Sequence, residues 1–474
     1  MKEDRRRYRK TMVSTIIFFL SCTPMPKDVI IQDALPPIYP DYCDVTIPAN
    51  IAPLNFLLRV DCEAVEVKFG DLRINTKGNE VVFDIDDWKE MLSQYVDKEI
   101  EVTVSALIND QWIEYRPFRW LVVKDKIDPY LTYRLIEPDY EIWNQIQIQQ
   151  RCIENFDVNA IGHYEQLENR CMNCHTFANQ DPQLSMMYVR GPGGGAILNQ
   201  HGQLSKLNIP GSVYFGFSPS GRYITYSTQR IIPAFHSMPS KRLEVYDAES
   251  NVYVADMQTH RIISSPLLSD SLKFETFPTF SPDGKYIYYC SADSVSLPSD
   301  IKNLQYRLVR IPFDEATGTI GSRIESWSEE SSVCHPRISP DGRYLLYTVA
   351  DYGTFPIWHP EADLQLMDLQ TGAIDTLAIV NSEKSDTYHS WSSNSRWFVF
   401  ASKRDDGLYG KPYFCYIDKD GKAHKPFCLP QEHPTFYDNN LKSFNAPELG
   451  KGKVTFDVHD VAKALKQEAI NFSR

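Results

Sequence analysis

Two cysteines and a histidine stand close together in the segment Cys171–His175, which reads Cys-Met-Asn-Cys-His. This C-x-x-C-H pattern is the attachment signature of a c-type haem. Two thiols form thioether bonds to the vinyl groups of the porphyrin, and the adjacent imidazole binds the iron as an axial ligand. The sequence therefore predicts one covalent haem c, attached to Cys171 and Cys174, with His175 as the proximal iron ligand.

Other interpretations of the segment remain open. A redox dithiol of the thioredoxin kind needs a βαβ context, and no apolar strand leads into Cys171. Half of a zinc site needs a second C-x-x-C or an H-x3-H at finger spacing, and none follows. A structural disulfide would close a strained two-residue loop. An ordinary loop without chemistry is the last alternative, and we favour haem attachment over all of these.

Spacing alone leaves the second axial ligand open. Met186 and Met187 follow the motif closely, and a thioether paired with histidine suits an electron-transfer haem. The same two residues also suit the start of a packed apolar strand. His163 and His201 are competing imidazoles, and an open sixth position would indicate ligand binding or peroxide chemistry. We name Met186 or Met187 as the predicted distal ligand.

Composition and charge restrict the class of protein. The 474 residues carry a formal net charge of −13, which argues against nucleic acid as a partner because phosphate binding requires a basic field. The length predicts about three domains. The 30 Pro and 27 Tyr residues favour a β-rich, loop-rich architecture.

The N-terminus has the features of an export signal. A basic run, Arg5–Lys10, precedes a short apolar run, Thr11–Leu20, which is too short to span a bilayer. The following Leu-Ser-Cys resembles a bacterial lipobox that ends at Cys22, and an ordinary secretory signal is the alternative. We expect an exported protein, periplasmic or on the cell surface, anchored to a bacterial membrane by a lipid on Cys22. This is also the compartment in which haem is attached, as the resemblance to c-type cytochromes implies.

An internal repeat occupies the second half of the chain. Its clear copies are Phe217–Tyr223, Phe280–Tyr286 and Ile338–Tyr344, and Trp391–Trp397 is a decayed copy. Each clear copy contains a Pro-Asp-Gly or Pro-Ser-Gly turn, in which Pro fixes one φ and Gly accepts a positive one. An alternating strand follows each copy, and a second hairpin follows that strand. Two hairpins per unit predict a four-stranded sheet, and radial repetition of such sheets is a β-propeller.

The S-P-D-G-[KR] repeats resemble those of TolB-type propellers, also described as WD40-like or PD40 repeats. The resemblance covers about residues 212–430 and implies a propeller of five or six blades, a fold that serves binding proteins and enzymes alike. One equivalent position precedes each copy and is expected to line the mouth of the central channel: Tyr214, Phe277, His335 and Tyr388. We interpret His335 and the neighbouring His389 as packed loop histidines rather than ligands.

The remaining segments complete a mainly β architecture. Alternating runs predict an Ig-like β-sandwich that contains a short helix over Asp87–Tyr95. Helical spacing over Asp139–Phe156 predicts a short helical connector beside the haem loop, and Asp457–Phe472 suggests an amphipathic helix. The predicted order is a lipoprotein signal peptide over 1–22, a tether over 23–36, the sandwich over 37–125, the helical connector with the haem-attachment loop over 126–184, the propeller over 185–456 and a C-terminal helix over 457–474.

These features together favour an exported c-type haem protein that transfers electrons or senses redox state. Its expected partner is an envelope redox or scaffold protein on the propeller face. One alternative is a propeller that binds an envelope protein or glycan, with structural haem or none. Another is a haem enzyme with an open iron site, such as a peroxidase. The sequence contains no G-x-S-x-G and no paired-carboxylate motif, so we predict no catalytic residues and favour a carrier over an enzyme.

Overall fold

The computed structural model shows a mainly β protein, as the sequence predicts. The predicted signal peptide, Cys22 and the side chain of Cys174 lie outside the described residues. Within the described part, no helix is long and apolar enough to cross a membrane. The described residues are 26, 28–137, 145–209, 211–234, 244–327 and 331–473.

The N-terminal region consists of two sheets and one helix. Its elements are β1 Ile30–Gln32, β2 Ile38–Tyr39, β3 Val45–Pro48, β4 Phe56–Leu58, β5 Ala64–Phe69, β6 Leu72–Lys77, β7 Glu80–Val81, α1 Ile85–Gln94, β8 Lys98–Ile108, β9 Gln111–Tyr115 and β10 Phe118–Val123. A seven-stranded sheet has the main order β1-β9-β8-β10-β3, with β5 beside β8 and β6 beside β5, and a three-stranded sheet has the order β2-β4-β7. Helix α1 begins after Asp84, whose carboxylate accepts hydrogen bonds from two backbone N–H groups of the first turn. This confirms the short helix predicted in this region.

In the described part of the chain, six further sheets follow the N-terminal region. Their elements are β11 Tyr130–Ile136, β12 Gln147–Cys152, β13 Val158–His163, β14 Met172–Phe177, β15 Leu184–Val189, β16 Gly195–Gln200, β17 Gln203–Asn208, β18 Ser212–Phe217, β19 Tyr223–Ala234, β20 Glu244–Asp256, β21 Arg261–Ile263, β22 Lys273–Phe280, β23 Tyr286–Asp293, β24 Arg307–Asp314, β25 Thr319–Ile320, β26 Glu325–Trp327, β27 Ser332–Ile338, β28 Tyr344–Ala350, β29 Asp363–Asp368, β30 Ile374–Asp375, β31 Asp386–Trp391, β32 Trp397–Ser402, β33 Lys411–Tyr416, β34 Phe427–Cys428, α2 Phe436–Asn439, β35 Ser443–Gly450, α3 Val458–Leu465 and β36 Ile470–Asn471.

The first strands of these sheets contact one another in cyclic order. Along the chain, β14, β18, β22, β27, β31 and β35 each contact the next, and β35 contacts β14 again. The sheet that contains β35 takes its other three strands from much earlier in the chain, in the order β35-β11-β12-β13. Both ends of the repeat region therefore meet in one sheet, and the fold is propeller-like.

The expected helical connector is wrong over the residues that the structure describes there. Gln147–Cys152 forms strand β12, which pairs with β11 and β13. Ile146, Ile148 and Gln150 are buried and the residues between them are partly exposed, which is the two-residue period of a strand. The helical expectation rests on Ile146, Ile153 and Phe156, whose spacing fits one face of a helix. Because β12 pairs with a neighbouring strand on each edge, the segment forms a strand and not a helix. The motif segment Cys171–His175 is expected in a loop. Most of it instead lies in strand β14, because β15 pairs along it.

The repeated turns show why the S-P-D-G residues recur. Ser339 Oγ accepts a hydrogen bond from the backbone N–H of Tyr344 at 2.9 Å and donates to Asp341 Oδ1 at 2.6 Å. Gly342 completes the turn with a φ of 74°, in the left-handed region that L side chains rarely adopt. The same contacts recur at Ser281. The repeat residues are therefore turn chemistry rather than a binding motif.

We predict that Gly342→Ala lowers the free energy of unfolding by about 1–2 kcal/mol, since the added Cβ strains the left-handed backbone. No atom lies within 4 Å of that Cβ, so packing contributes no penalty. Gly410→Ala is the control: Gly410 lacks the positive φ, and its Cβ would meet no atom closer than 3.4 Å. Chemical denaturation measures both variants. Equal stabilities of the two would contradict the strain argument.

Candidate functional site

Each strand of the cycle is interrupted by a bulge at the same place. The pairing shifts between Asn173 and His175 in β14, and corresponding shifts occur in the first strands of the other five sheets. A bulge of this kind changes the direction in which a side chain points. Residues at the bulges have φ between 46° and 53°: Tyr214, Phe277, His335, Tyr388 and Ala446. Four of these are the residues that the sequence repeat placed at one equivalent position, and Cys174 occupies that position in β14.

The re-aimed side chains form a cluster of rings, here called the axial rings: Tyr214, Phe277, His335 and Tyr388. The ring centroid of His335 lies 4.0 Å from that of Phe277 and 4.7 Å from that of Tyr388. The centroids of Tyr214 and Phe277 are 4.4 Å apart. Since these side chains come from four different sheets, they meet at the centre of the cycle.

Two cavities share His175 and part of the axial rings as lining. The first, here called the motif cavity, has a volume of about 240 Å³ and is lined by Cys171 and His175. The second, here called the turn cavity, has a volume of about 310 Å³ and is lined by prolines of the repeated turns. His335 and Tyr388 line both cavities and separate them. The structure thus brings Cys171 and His175 together at the centre of the sheet cycle.

The motif cavity combines apolar walls with cationic side chains. Its apolar lining includes Val213, Ile357 and Trp358, and its cations are Arg134, Arg190, Arg337 and Lys403. Glu137 is also in the lining and lies 3.4 Å from Lys442 Nζ. Positive charge therefore predominates around an apolar space, which suits a flat apolar ligand that carries carboxylates.

Burial alters the protonation of two groups in this lining. It lowers the pKa of His175 to about 4, and the nearby charge of Arg134 acts in the same direction. It also lowers the pKa of Lys403 to about 8. Arg134 Nη1 donates to Asn173 Oδ1 at 2.6 Å and so contacts the motif strand directly. The imidazole of His175 is therefore neutral at pH 7, the form that binds a metal.

The methionines predicted as distal ligands are packed in the core. Met187 lies directly opposite His175 in the β14–β15 pair, where partners project from the same face of the sheet. It packs with Met172, whereas Met186 packs in a different cluster with Leu198. Both methionines are at most 3% exposed. This placement favours the packed-strand alternative for both residues.

Sequence reasoning missed most of the charged lining. Arg134 belongs to a strand in the expected connector, Trp358 ends a short 3-10 helix, and Lys403 lies in a loop without a motif. The sequence predicts His335 at a channel position as a packed histidine, and the structure places it in the lining of both cavities. Within the described residues, no group of three or more His, Cys, Asp or Glu could hold a metal ion. A haem iron takes only its axial ligands from the protein, so a haem site does not require a group of three such residues.

No protein-family model and no curated protein matches the chain. Among solved structures, an apocarotenoid oxygenase mutant from Synechocystis is 13% identical, covers 85% of this chain and 95% of its own, and has a TM-score of 0.39. A puromycin hydrolase is 12% identical over 63% of this chain and 45% of its own, with a TM-score of 0.36. A puromycin-hydrolysing peptidase from Mycobacterium tuberculosis is 12% identical over 70% and 52%, with a TM-score of 0.36. Similarities this weak assign no function.

His389 lines the turn cavity, and the effect of its burial can be tested by varying the pH. Burial, with the charge of Arg337, lowers the pKa of His389 to about 3, and its Nε2 lies 2.9 Å from the Leu346 carbonyl oxygen. Between pH 6.5 and 4 the unfolded chain binds this proton and the folded chain does not. The free energy of unfolding therefore falls as the pH falls, by about 1.4 kcal/mol per unit from this residue.

We predict that His389→Gln, which keeps a donor for Leu346, reduces this pH dependence. Denaturation of wild type and variant at several pH values between 7 and 4 measures the difference in slope. His459→Gln removes an exposed histidine and is the control. Identical slopes for wild type and His389→Gln would show that His389 is protonated in the folded state.

Proposed function

We propose that this chain is an exported c-type haem protein with a TolB-like, six-bladed propeller. In this proposal Cys171 and Cys174 carry one haem c, His175 binds its iron, and the protein transfers electrons or senses redox state in the bacterial envelope. The observation that carries the proposal is the location of the motif. Cys171 and His175 border an apolar, cation-lined cavity at the centre of the sheet cycle. Six sheets with cyclic contacts support the six blades.

The lining of the motif cavity fits a haem in its chemistry. A porphyrin is a flat apolar ring with two carboxylates on one edge, and the apolar walls match the ring. The cations match the carboxylates, because guanidinium groups bind carboxylates with strong, directional hydrogen bonds. At about 240 Å³ the cavity is smaller than most small-molecule sites, which hold about 300–1,000 Å³. We therefore expect the lining side chains to move apart when the haem is bound.

A bound haem supplies a one-electron redox couple. The residues around the haem would influence the reduction potential of that couple. The axial rings and the apolar walls exclude water from the site, and His175 presents a neutral imidazole. The cations Arg134 and Arg337 favour the more negative, reduced state, so we expect them to raise the reduction potential.

Export and anchoring belong to the same proposal. The lipobox-like segment supports a lipid on Cys22 and a location at the bacterial membrane, periplasmic or on the surface. An envelope redox or scaffold protein on the propeller face is the proposed partner. No catalytic residue is part of the proposal.

The turn cavity favours a second candidate function. It is polar, it has a volume of about 310 Å³, and Pro219, Pro282 and Pro340 of the repeated turns line it. A propeller with such a cavity suits the binding of an envelope protein or glycan, with the haem structural or absent.

We predict that a chain produced together with the haem-attachment machinery keeps its haem spectrum after denaturation, because the bonds to Cys171 and Cys174 are covalent. The double variant Cys171→Ala with Cys174→Ala is expected to lose that spectrum completely. Cys62→Ala removes a partly buried thiol of the N-terminal region and is the matched control. Absence of haem from the denatured wild-type chain would refute the haem proposal and leave the binding module.

A further inference from the structure

His335 is carried by the strand that lies opposite the motif strand in the cycle. Strand β14 contacts β18 and β35, whereas β27 contacts β22 and β31. Three steps separate β14 from β27 in either direction, so a group between the two strands lies at the centre of the cycle. His175 and His335 approach that centre from opposite sides, and both line the motif cavity.

The side chain of His335 is buried without satisfying its polar atoms. It is 4% exposed, and within the described residues neither ring nitrogen has a hydrogen-bond partner. Aromatic rings surround it, with Tyr214 at 5.8 Å between centroids in addition to the two nearer rings. Buried polar atoms without partners are exceptional in folded proteins and require an explanation. A bond to a metal would satisfy one of the two nitrogens.

The bulge explains why His335 in particular faces the centre. It has a φ of 53° at the position where four other strands of the cycle carry Tyr, Phe or Ala and β14 carries Cys174. Imidazole is a common haem ligand, and in the described part of the chain His335 is the one imidazole at this repeated position. The strained backbone thus presents a metal-binding side chain where packing alone would accept another aromatic ring.

We propose that His335 is the second axial ligand of the haem iron, opposite His175. The proposal rests on the haem function above. It replaces Met186 and Met187, whose side chains are packed in the core and are not among the residues that line the motif cavity. With two histidines the iron has no open position, which favours an electron carrier over a peroxidase.

The test uses the full chain with its covalent haem and records the ferric spectrum. The wild type is expected to be low-spin. His335→Ala is expected to lose the low-spin spectrum and become high-spin, and added imidazole is expected to restore it. His335→Met keeps a buried side chain of similar size and is expected to gain the far-red band of a thioether-iron bond, which a variant that merely unfolds would not show.

Met186→Ala and Met187→Ala are the matched controls and are expected to keep the wild-type spectrum. The proposal is overturned if either methionine variant becomes high-spin while His335→Ala stays low-spin. A high-spin wild type also overturns it and indicates an open iron site. Failure of the haem function itself is distinguishable, because the denatured wild-type chain would then carry no haem at all.

Discussion

The pairing of strand β35 with strand β11 holds the sheet cycle closed. The register runs from Tyr130 opposite Gly450 to Ile136 opposite Ser443, so segments from distant parts of the chain form one sheet. Without β35 the inner edge of that sheet would expose unpaired backbone groups. The same strand also holds the motif strand, because Glu448 accepts a hydrogen bond from the backbone N–H of Phe177 at 2.8 Å. Closure of the cycle and position of the motif therefore both depend on strand β35.

Closure also creates the place where chemistry is proposed. Strands that meet in a cycle present their edges to a shared centre, and in five of them the repeated bulges turn one side chain towards it: Tyr214, Phe277, His335, Tyr388 and Ala446. In most of the described strands that residue is aromatic or small, and it simply fills space. In β27 it is a histidine with unsatisfied nitrogens, whereas β14 contains Cys174 and His175 and Cys171 directly precedes it. The same β-bulge thus places a packing side chain in some sheets and belongs to the proposed haem site in others.

The sequence predicts the parts of this structure that depend on local chemistry. The turn residues around Ser339 fix each repeat, and the equivalence of Tyr214 with His335 follows from counting along it. The sheet β35-β11-β12-β13 could not be predicted, because β35 lies far along the chain from the other three strands and because the spacing of Ile146, Ile153 and Phe156 also fits a helix. The cations Arg134 and Lys403 carry no local signal, since only the closed cycle brings them to the motif cavity.

Mass spectrometry of the mature protein tests the central claim most directly. Cleavage after Arg170 and Arg190 releases residues 171–190, which contain both cysteines of the motif together with Met186 and Met187. The account predicts that this fragment carries the mass of one haem, bound through Cys171 and Cys174. An unmodified fragment from protein made with the haem-attachment machinery, with free thiols at both positions, would contradict it.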